Sequence, residues 1–171
     1  VYPNDWVRTS PKCTYDSYIM TTACTLVANL PDIKTEDNAP VELPKMLTDK
    51  WKKEGRYESE MKSLDQFFAK TGYPRAPKYY IKKWLSDYVR EDGVDGYRVD
   101  TAKHTNADVW KDFQKVCQDA LDEWRKNNPS KVLDYEPFYT VGEVYGYGIS
   151  QKLLYNYGDK KVDFFDNGFH S

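Results

Sequence analysis

The stretch VDGYRVD, residues 94–100, decides the fold of this chain. Apolar and aromatic residues recur at helical spacing over about 77–91 before it and over about 107–127 after it, with Asn106 as the expected N-cap of the second helix. A short apolar run at 138–142 then predicts another strand. A strand, a helix and a strand in this order are typical of a βαβ unit, so we expect two parallel strands lying side by side.

The rest of the chain extends this pattern in both directions. Upstream, two further helices are expected at about 44–54 and 57–70, each ended by a glycine. Residues 1–40 contain several prolines and little periodicity, which predicts irregular or short-stranded structure. Downstream, a short helix around 149–156 and a strand around 161–165 complete the alternation. The whole pattern predicts an α/β protein with a parallel sheet.

The composition argues against two kinds of partner. The chain has 25 Lys and Arg against 27 Asp and Glu, a net charge of −2, whereas proteins that bind nucleic acid are typically basic. No apolar run approaches the ~18 residues that a membrane-spanning helix needs. Because the chain begins at Val1 without a signal peptide, we interpret it as a mature or excised sequence.

The three cysteines cannot all pair with one another. Cys117 lies at helical spacing from Trp110 and Leu121, which predicts a thiol in the core. Cys13 and Cys24 lie in a loop-like region, where a disulfide and two free thiols are both compatible with the sequence.

The strand at 94–100 carries charges where a buried strand should be apolar. Side chains alternate between faces, so Gly96, Arg98 and Asp100 share one face, and Tyr97 and Val99 share the other. Parallel strands are usually covered on both sides, so an arginine and an aspartate there are costly unless they are paired. A structural ion pair is the simpler interpretation of this strand, and a catalytic pair is the other.

A second carboxylate ends the next strand, because Glu143 directly follows Val141 and Gly142. Active sites of parallel α/β proteins lie at the carboxyl edge of the sheet, and neighbouring strands are about 4.8 Å apart. Two carboxylates there can approach to about 5–5.5 Å, the separation that retaining glycosidases use. One would attack as an anion, favoured by Arg98, and the other would supply a proton. A surface glutamate without such a role is the alternative for Glu143.

Three short motifs resemble those of one enzyme family. The stretch GYRVDTAKH (96–104) resembles the fourth-strand signature of the α-amylase family of glycoside hydrolases, and VGEV (141–144) resembles its fifth-strand signature. The stretch LPDI (30–33) is similar to a third motif, near the end of the domain that this family inserts after strand three. All three occur in the family's order. The stretch GYPR (72–75) is most similar to periplasmic and secreted bacterial α-amylases.

The resemblance implies a partial (β/α)8 TIM barrel containing strands four to six with their helices. Residues 1–40 would form the end of the inserted domain, and residues 41–171 would form part of the catalytic barrel. The motifs of strands one and three would precede the chain, and a third catalytic aspartate would follow Ser171. We therefore expect an excised portion or a truncated product, whose partner is the remainder of the parent barrel.

The resemblance also implies roles for individual residues. Asp100 matches the nucleophile, Glu143 matches the general acid/base, and Arg98 matches the residue that orients the nucleophile. Lys103 and His104 match residues on the sugar-acceptor side. The implied activity is hydrolysis of α-1,4-glucosidic bonds in starch-like α-glucans with retention, in the periplasm or outside the cell. The alternatives are a non-catalytic truncated fragment and an α-glucan transglycosylase of the same family.

Two further sites follow from the resemblance. The Asp32 side chain and the backbone carbonyl of His104 match ligands of a structural Ca²⁺, which prefers oxygen ligands. A turn-capping aspartate is the alternative for Asp32, and the imidazole of His104 is not expected to bind a metal because no second histidine lies nearby. Tyr145 could stack on a glucose ring, and packing against a neighbouring loop is its alternative.

Overall fold

A computed structural model describes residues 3–27 and 30–143. The α helices are α1 (Ile19–Thr22), α2 (Lys45–Lys53), α3 (Tyr57–Thr71), α4 (Pro77–Asp92) and α5 (Ala107–Asn127). The strands are β1 (Val7–Arg8), β2 (Asp32–Ile33), β3 (Gly96–Val99) and β4 (Tyr139–Gly142). The four helices predicted between residues 44 and 127 are confirmed. The helix predicted at 149–156 and the strand predicted at 161–165 lie outside the described residues.

The predicted βαβ unit is present. β3 and β4 pair in parallel, with Gly96 opposite Tyr139 and Val99 opposite Gly142, and α5 connects them. β1 and β2 form a separate antiparallel pair. The described residues therefore form a mixed α/β structure with two short sheets. The (β/α)8 barrel stays a prediction, because a barrel needs more strands than the described residues contain.

Side chains from β3, α4, α5 and the residue before β4 form one core around this unit. Val89, Phe113, Cys117, Leu121 and Phe138 are among its buried members. Cys117 is thus the core thiol that its spacing predicted, and burial raises its pKa to about 12.

Tyr97 fixes the orientation of β3 against this core. Its ring lies 5.7 Å from those of Phe113 and Phe138, and its hydroxyl donates a hydrogen bond of 2.7 Å to the carbonyl of Leu85. Because alternate residues of a strand point to opposite faces, Arg98 then faces away from the helices.

A second core joins the N-terminal segment to the helices. Trp6 packs with Tyr80 and Trp84 of α4, and its indole N–H donates a hydrogen bond of 2.7 Å to the carbonyl of Glu42. The disulfide left open by the sequence is formed between Cys13 and Cys24. The N-terminal segment is therefore tied both to itself and to the helical layer. No helix in the described part of the chain is long and apolar enough to cross a membrane.

The start of α5 differs from its prediction. Asn106 occupies the N-cap position, but its side chain makes no capping hydrogen bond. The hydroxyl of Tyr18 instead accepts a hydrogen bond of 3.1 Å from the N–H of Ala107. The prediction of a side-chain cap by Asn106 is wrong because a distant residue satisfies the first free N–H of the helix.

Two glycines that end helices allow a matched stability test. Gly72 and Gly93 both adopt left-handed conformations, with φ of 70° and 74°, at the ends of α3 and α4. A Cβ on Gly93 would overlap the indole ring of Trp124, whereas a Cβ on Gly72 would meet open space. We expect Gly72→Ala to lower the free energy of unfolding by about 1 kcal/mol and Gly93→Ala by about 3 kcal/mol. Urea unfolding measures both, and equal losses would contradict this placement of Trp124.

Candidate active site

Asp100 and Glu143 both follow the carboxyl ends of the parallel strands. Beyond the last paired residues, the N–H of Glu143 donates a hydrogen bond of 2.8 Å to the carbonyl of Val99. The N–H of Ala102 then donates one of 2.9 Å to the carbonyl of Glu143. These bonds continue the strand pairing past both strand ends, so the backbone on each side of Asp100 is fixed to Glu143.

Arg98 brings the two carboxylates together. Its Nη1 lies 3.5 Å from Oδ1 of Asp100, and its Nη2 lies 2.6 Å from Oε2 of Glu143. The sequence predicted Arg98 as the partner of Asp100, and the structure shows that it contacts Glu143 more closely. Two acids on adjacent parallel strands therefore share one guanidinium group.

The exposure of these groups bears on the choice between a structural and a catalytic pair. The side chains of Arg98 and Asp100 are 57% and 68% exposed, whereas that of Glu143 is 22% exposed. Ion pairs between exposed side chains contribute about 0–1 kcal/mol, so this cluster adds little stability. The arrangement instead leaves Asp100 open to an incoming molecule beside a less solvated Glu143.

A strained turn follows Asp100. Thr101 adopts a left-handed conformation with φ of 48°, and the chain then enters a short 3₁₀ helix, Ala102–His104. The indole N–H of Trp110 donates a hydrogen bond of 3.1 Å to the carbonyl of Ala102. Non-glycine residues in this conformation cost of order 1–3 kcal/mol and cluster at functional sites. The turn is thus held firmly where it leaves the strand.

His104 is directed into the protein rather than towards solvent. It is 8% exposed, and its Nδ1 lies 2.9 Å from the carbonyl oxygen of Thr21. Because a carbonyl only accepts, Nδ1 carries the proton. Burial lowers the pKa of His104, and the positive charge of Lys103 lowers it further. The hydrogen bond with Thr21 raises this pKa. His104 therefore helps to fix the turn after Asp100.

One residue near the site was missed by sequence reasoning. The ring of Tyr15 lies 5.7 Å from the imidazole ring of His104, and Nζ of Lys103 lies 5.3 Å from the centre of the same tyrosine ring. Lys103 and His104, the two residues predicted on the acceptor side, thus both meet Tyr15. No periodicity or short motif around Tyr15 signals this contact.

Asp32 has an arginine as its neighbour. Its Oδ2 lies 3.1 Å from Nε of Arg8, which also forms an ion pair with Glu36. Burial raises the pKa of Asp32 to about 6, and the charge of Arg8 opposes that rise. A cation at Asp32 would therefore have to compete with Arg8.

The described residues present one group of potential metal ligands within reach of a single ion, namely Cys13, Cys24 and His104. Both cysteines are in the disulfide, so they offer no thiolate. No three aspartate or glutamate side chains of the described residues lie close enough to hold one ion. Calcium prefers oxygen ligands, and its binding by Asp32 and the His104 carbonyl stays a prediction. Tyr145, the other predicted substrate contact, lies outside the described residues.

The fold and the site together define a class, an α/β protein with two carboxylates and an arginine at the carboxyl edge of a parallel strand pair. Comparison with known proteins is more specific. No protein-family model matches the chain. The chain is 37% identical over 161 residues to the periplasmic α-amylase of Escherichia coli (strain K12). This alignment covers 94% of the chain and 22% of that protein. The chain is 29% identical over 93 residues to a β/α-amylase of Paenibacillus polymyxa, covering 47% of this chain and 8% of that protein.

Among solved structures, the chain is similar to an α-amylase from Anoxybacillus, with 26% identity and a TM-score of 0.31 over 41% of this chain and 12% of that chain. These sequence similarities are to α-amylases, as the motifs of the chain predicted. It spans less than a quarter of the length of the curated relatives it matches.

Proposed function

We propose that this chain is the part of an α-amylase-type glycoside hydrolase that carries the nucleophile, Asp100, and the general acid/base, Glu143. The observation that carries the proposal is the single guanidinium of Arg98, which contacts both carboxylates at the ends of adjacent parallel strands. The substrate would be a starch-like α-1,4-glucan. The remainder of the parent barrel would supply the rest of the substrate site.

The geometry supports a double displacement. Asp100, the more exposed acid, would attack the anomeric carbon while Glu143 protonates the leaving oxygen. Glu143 would then take a proton from water, which attacks the glycosyl-enzyme, so the two inversions give retention. A proton donor must be neutral when it acts, so we expect Arg98 to move from Glu143 towards Asp100 as the substrate binds. Lys103 would bind the sugar on the leaving-group side, and the buried His104 would support that side through the turn that it fixes.

Location follows from the relative alone. The first relative named above is a periplasmic α-amylase, so we propose a periplasmic or secreted location for the protein that contains this chain.

Two other functions use the same features differently. A transglycosylase would use the same two carboxylates and pass the glycosyl group to a sugar instead of water. A non-catalytic fragment would keep the fold without turnover. Reducing-sugar release from starch by the complete polypeptide tests for hydrolysis, and the chain lengths of the products separate hydrolysis from transfer. Absence of both activities in the complete polypeptide would contradict the proposed function.

Calcium binding is proposed separately from catalysis. In this structure Asp32 is paired with Arg8, so a calcium ion would have to replace Arg8 as its partner. If the side chain of Asp32 and the carbonyl of His104 are ligands in the complete polypeptide, Asp32→Ala should weaken Ca²⁺ binding at least tenfold in calorimetry. Asp37→Ala, a change at a nearby residue outside the proposed ligand set, is the matched control and should leave the affinity unchanged. Failure of the unaltered polypeptide to bind Ca²⁺ would contradict the proposal.

A further inference from the structure

Three side chains that can bind a metal meet beside the turn that follows Asp100. Cys13 and Cys24 each offer a sulfur and His104 offers a ring nitrogen, and these three atoms lie within 4.8 Å of one another. The cysteines come from the N-terminal segment and the histidine from the 3₁₀ helix, so the group forms only in the folded chain. While the disulfide is intact the sulfurs are not thiolates, so the group can bind a metal only after reduction.

The donor atoms and their spacing suit zinc. Zinc binds thiolate sulfur at about 2.3 Å and imidazole nitrogen at about 2.0–2.1 Å, so two ligand atoms on one tetrahedral ion are roughly 3.5–3.8 Å apart. Reduction frees the two sulfurs to rotate to such separations within the 4.8 Å group. Two thiolates and an imidazole favour Zn²⁺ over the harder Ca²⁺ and Mg²⁺. The cysteines thus take the place of the second histidine whose absence argued against a metal at the His104 ring.

His104 is held in the orientation that a metal ligand requires. Its Nδ1 donates a hydrogen bond of 2.9 Å to the carbonyl of Thr21, so in the neutral ring the free lone pair belongs to Nε2. Metal-binding histidines almost always donate their other N–H to a carbonyl, a carboxylate or water in this way. Thr21 lies between Cys13 and Cys24 in the chain, so the loop that supplies the sulfurs also orients the imidazole.

Backbone hydrogen bonds hold the two cysteines together without help from the disulfide. The N–H of Cys13 donates one of 3.1 Å to the carbonyl of Thr25, and the N–H of Thr25 donates one of 2.8 Å to the carbonyl of Pro11. Cys24 and His104 are buried, whereas Cys13 is half-buried and gives an ion access from solvent. The three donors should therefore stay close to one another after the S–S bond is broken.

We propose that Cys13, Cys24 and His104 form a redox-gated zinc site, in which the reduced chain binds Zn²⁺ through two thiolates and Nε2, with water as the fourth ligand. A dithiol supplies the two electrons and two protons that convert the S–S bond into two thiols, and is itself oxidised to a disulfide. Zinc then displaces both thiol protons as the two S–Zn bonds form. The site uses neither carboxylate of the candidate active site, so the inference is independent of the proposed function.

Zinc titration of the complete polypeptide, in competition with a chromophoric chelator, tests the site. The reductant is a trialkylphosphine, because a dithiol would itself bind zinc. The phosphine takes the oxygen of one water molecule, and the two protons of that water go to the sulfurs. We expect the reduced polypeptide to bind Zn²⁺ at least about a hundredfold more tightly than the oxidised one. Equal affinities before and after reduction would overturn the proposal.

Two variants separate this site from adventitious binding by thiols. His104→Asn keeps an N–H for the carbonyl of Thr21 and removes Nε2, so it should weaken zinc binding by the reduced polypeptide at least about tenfold. Cys117→Ala removes the core thiol outside the group and is the matched control, so its affinity should be unchanged.

Alkylation mapped by peptide mass spectrometry gives the residue-level readout. Zinc should protect Cys13 and Cys24 of the reduced polypeptide from iodoacetamide, and this protection should be lost in His104→Asn. Equal zinc affinity and equal protection in His104→Asn would show that two thiols bind the ion without the imidazole, as in an unfolded segment, and would overturn the three-residue site. Protection confined to other cysteines of the complete polypeptide would overturn it as well.

Discussion

Asp100→Asn in the complete polypeptide is expected to lower kcat on α-1,4-glucans by several orders of magnitude. The substitution keeps the shape of the side chain and removes the anion that would attack the anomeric carbon, and residues that act as one catalytic unit show losses of this size. Asp100 is 68% exposed and 3.5 Å from Arg98, so the free energy of unfolding should change by less than about 1 kcal/mol. Steady-state kinetics with maltoheptaose measure the loss.

Asp95→Asn is the matched control for this substitution. Asp95 is also an exposed aspartate beside β3, but it precedes the strand and lies at the opposite end from Asp100. Its substitution should change kcat less than twofold. A comparable loss in both variants, or near-normal turnover by Asp100→Asn, would contradict the assignment of the nucleophile.

Glu143→Gln is expected to cause a loss of similar size on maltoheptaose but a much smaller one on an α-glucosyl fluoride. The amide cannot donate the proton that a sugar leaving group needs, whereas fluoride leaves with little protonation. The first step should therefore still proceed, and the second should be slow because no general base activates water. Rapid-quench kinetics separate the two steps.

The control for Glu143 is Glu136→Gln, since Glu136 is an exposed glutamate that precedes β4 while Glu143 follows it. This variant should behave as the unaltered polypeptide on both substrates. If Glu143→Gln lost the first step on the fluoride as completely as on maltoheptaose, Glu143 would not be the general acid.

Local patterns were sufficient to predict the unit that carries the site. The apolar stripes of α4 and α5 have the helical period, and Gly72 and Gly93 adopt the left-handed conformation that ends helices. Strand alternation predicted that Tyr97 lies on the face opposite Arg98, and Tyr97 contacts Phe113 and Phe138 in the core while Arg98 contacts the two carboxylates. Each of these features depends on residues close in sequence or on the simple geometry of a βαβ unit.

The features that sequence reasoning missed depend on distant contacts. Tyr18 takes the capping role expected of Asn106, and Arg8 pairs with Asp32 across β1 and β2. Tyr15 likewise reaches His104 from the other end of the chain. The two residues of each pair are far apart in the sequence, so no period or spacing within one segment indicates the partner.

The central claim is that Asp100 is the nucleophile, and intact-mass and peptide mass spectrometry of the Glu143→Gln polypeptide, quenched after reaction with an α-glucosyl fluoride, tests it most directly. Slow hydrolysis of the intermediate in this variant should allow the covalent glycosyl-enzyme to accumulate. We expect one glucosyl group on the peptide that contains Asp100, attached to its carboxylate, and none when Asp100→Asn is added to the same variant. An adduct on another residue, or an adduct that persists in the Asp100→Asn polypeptide, would contradict the claim.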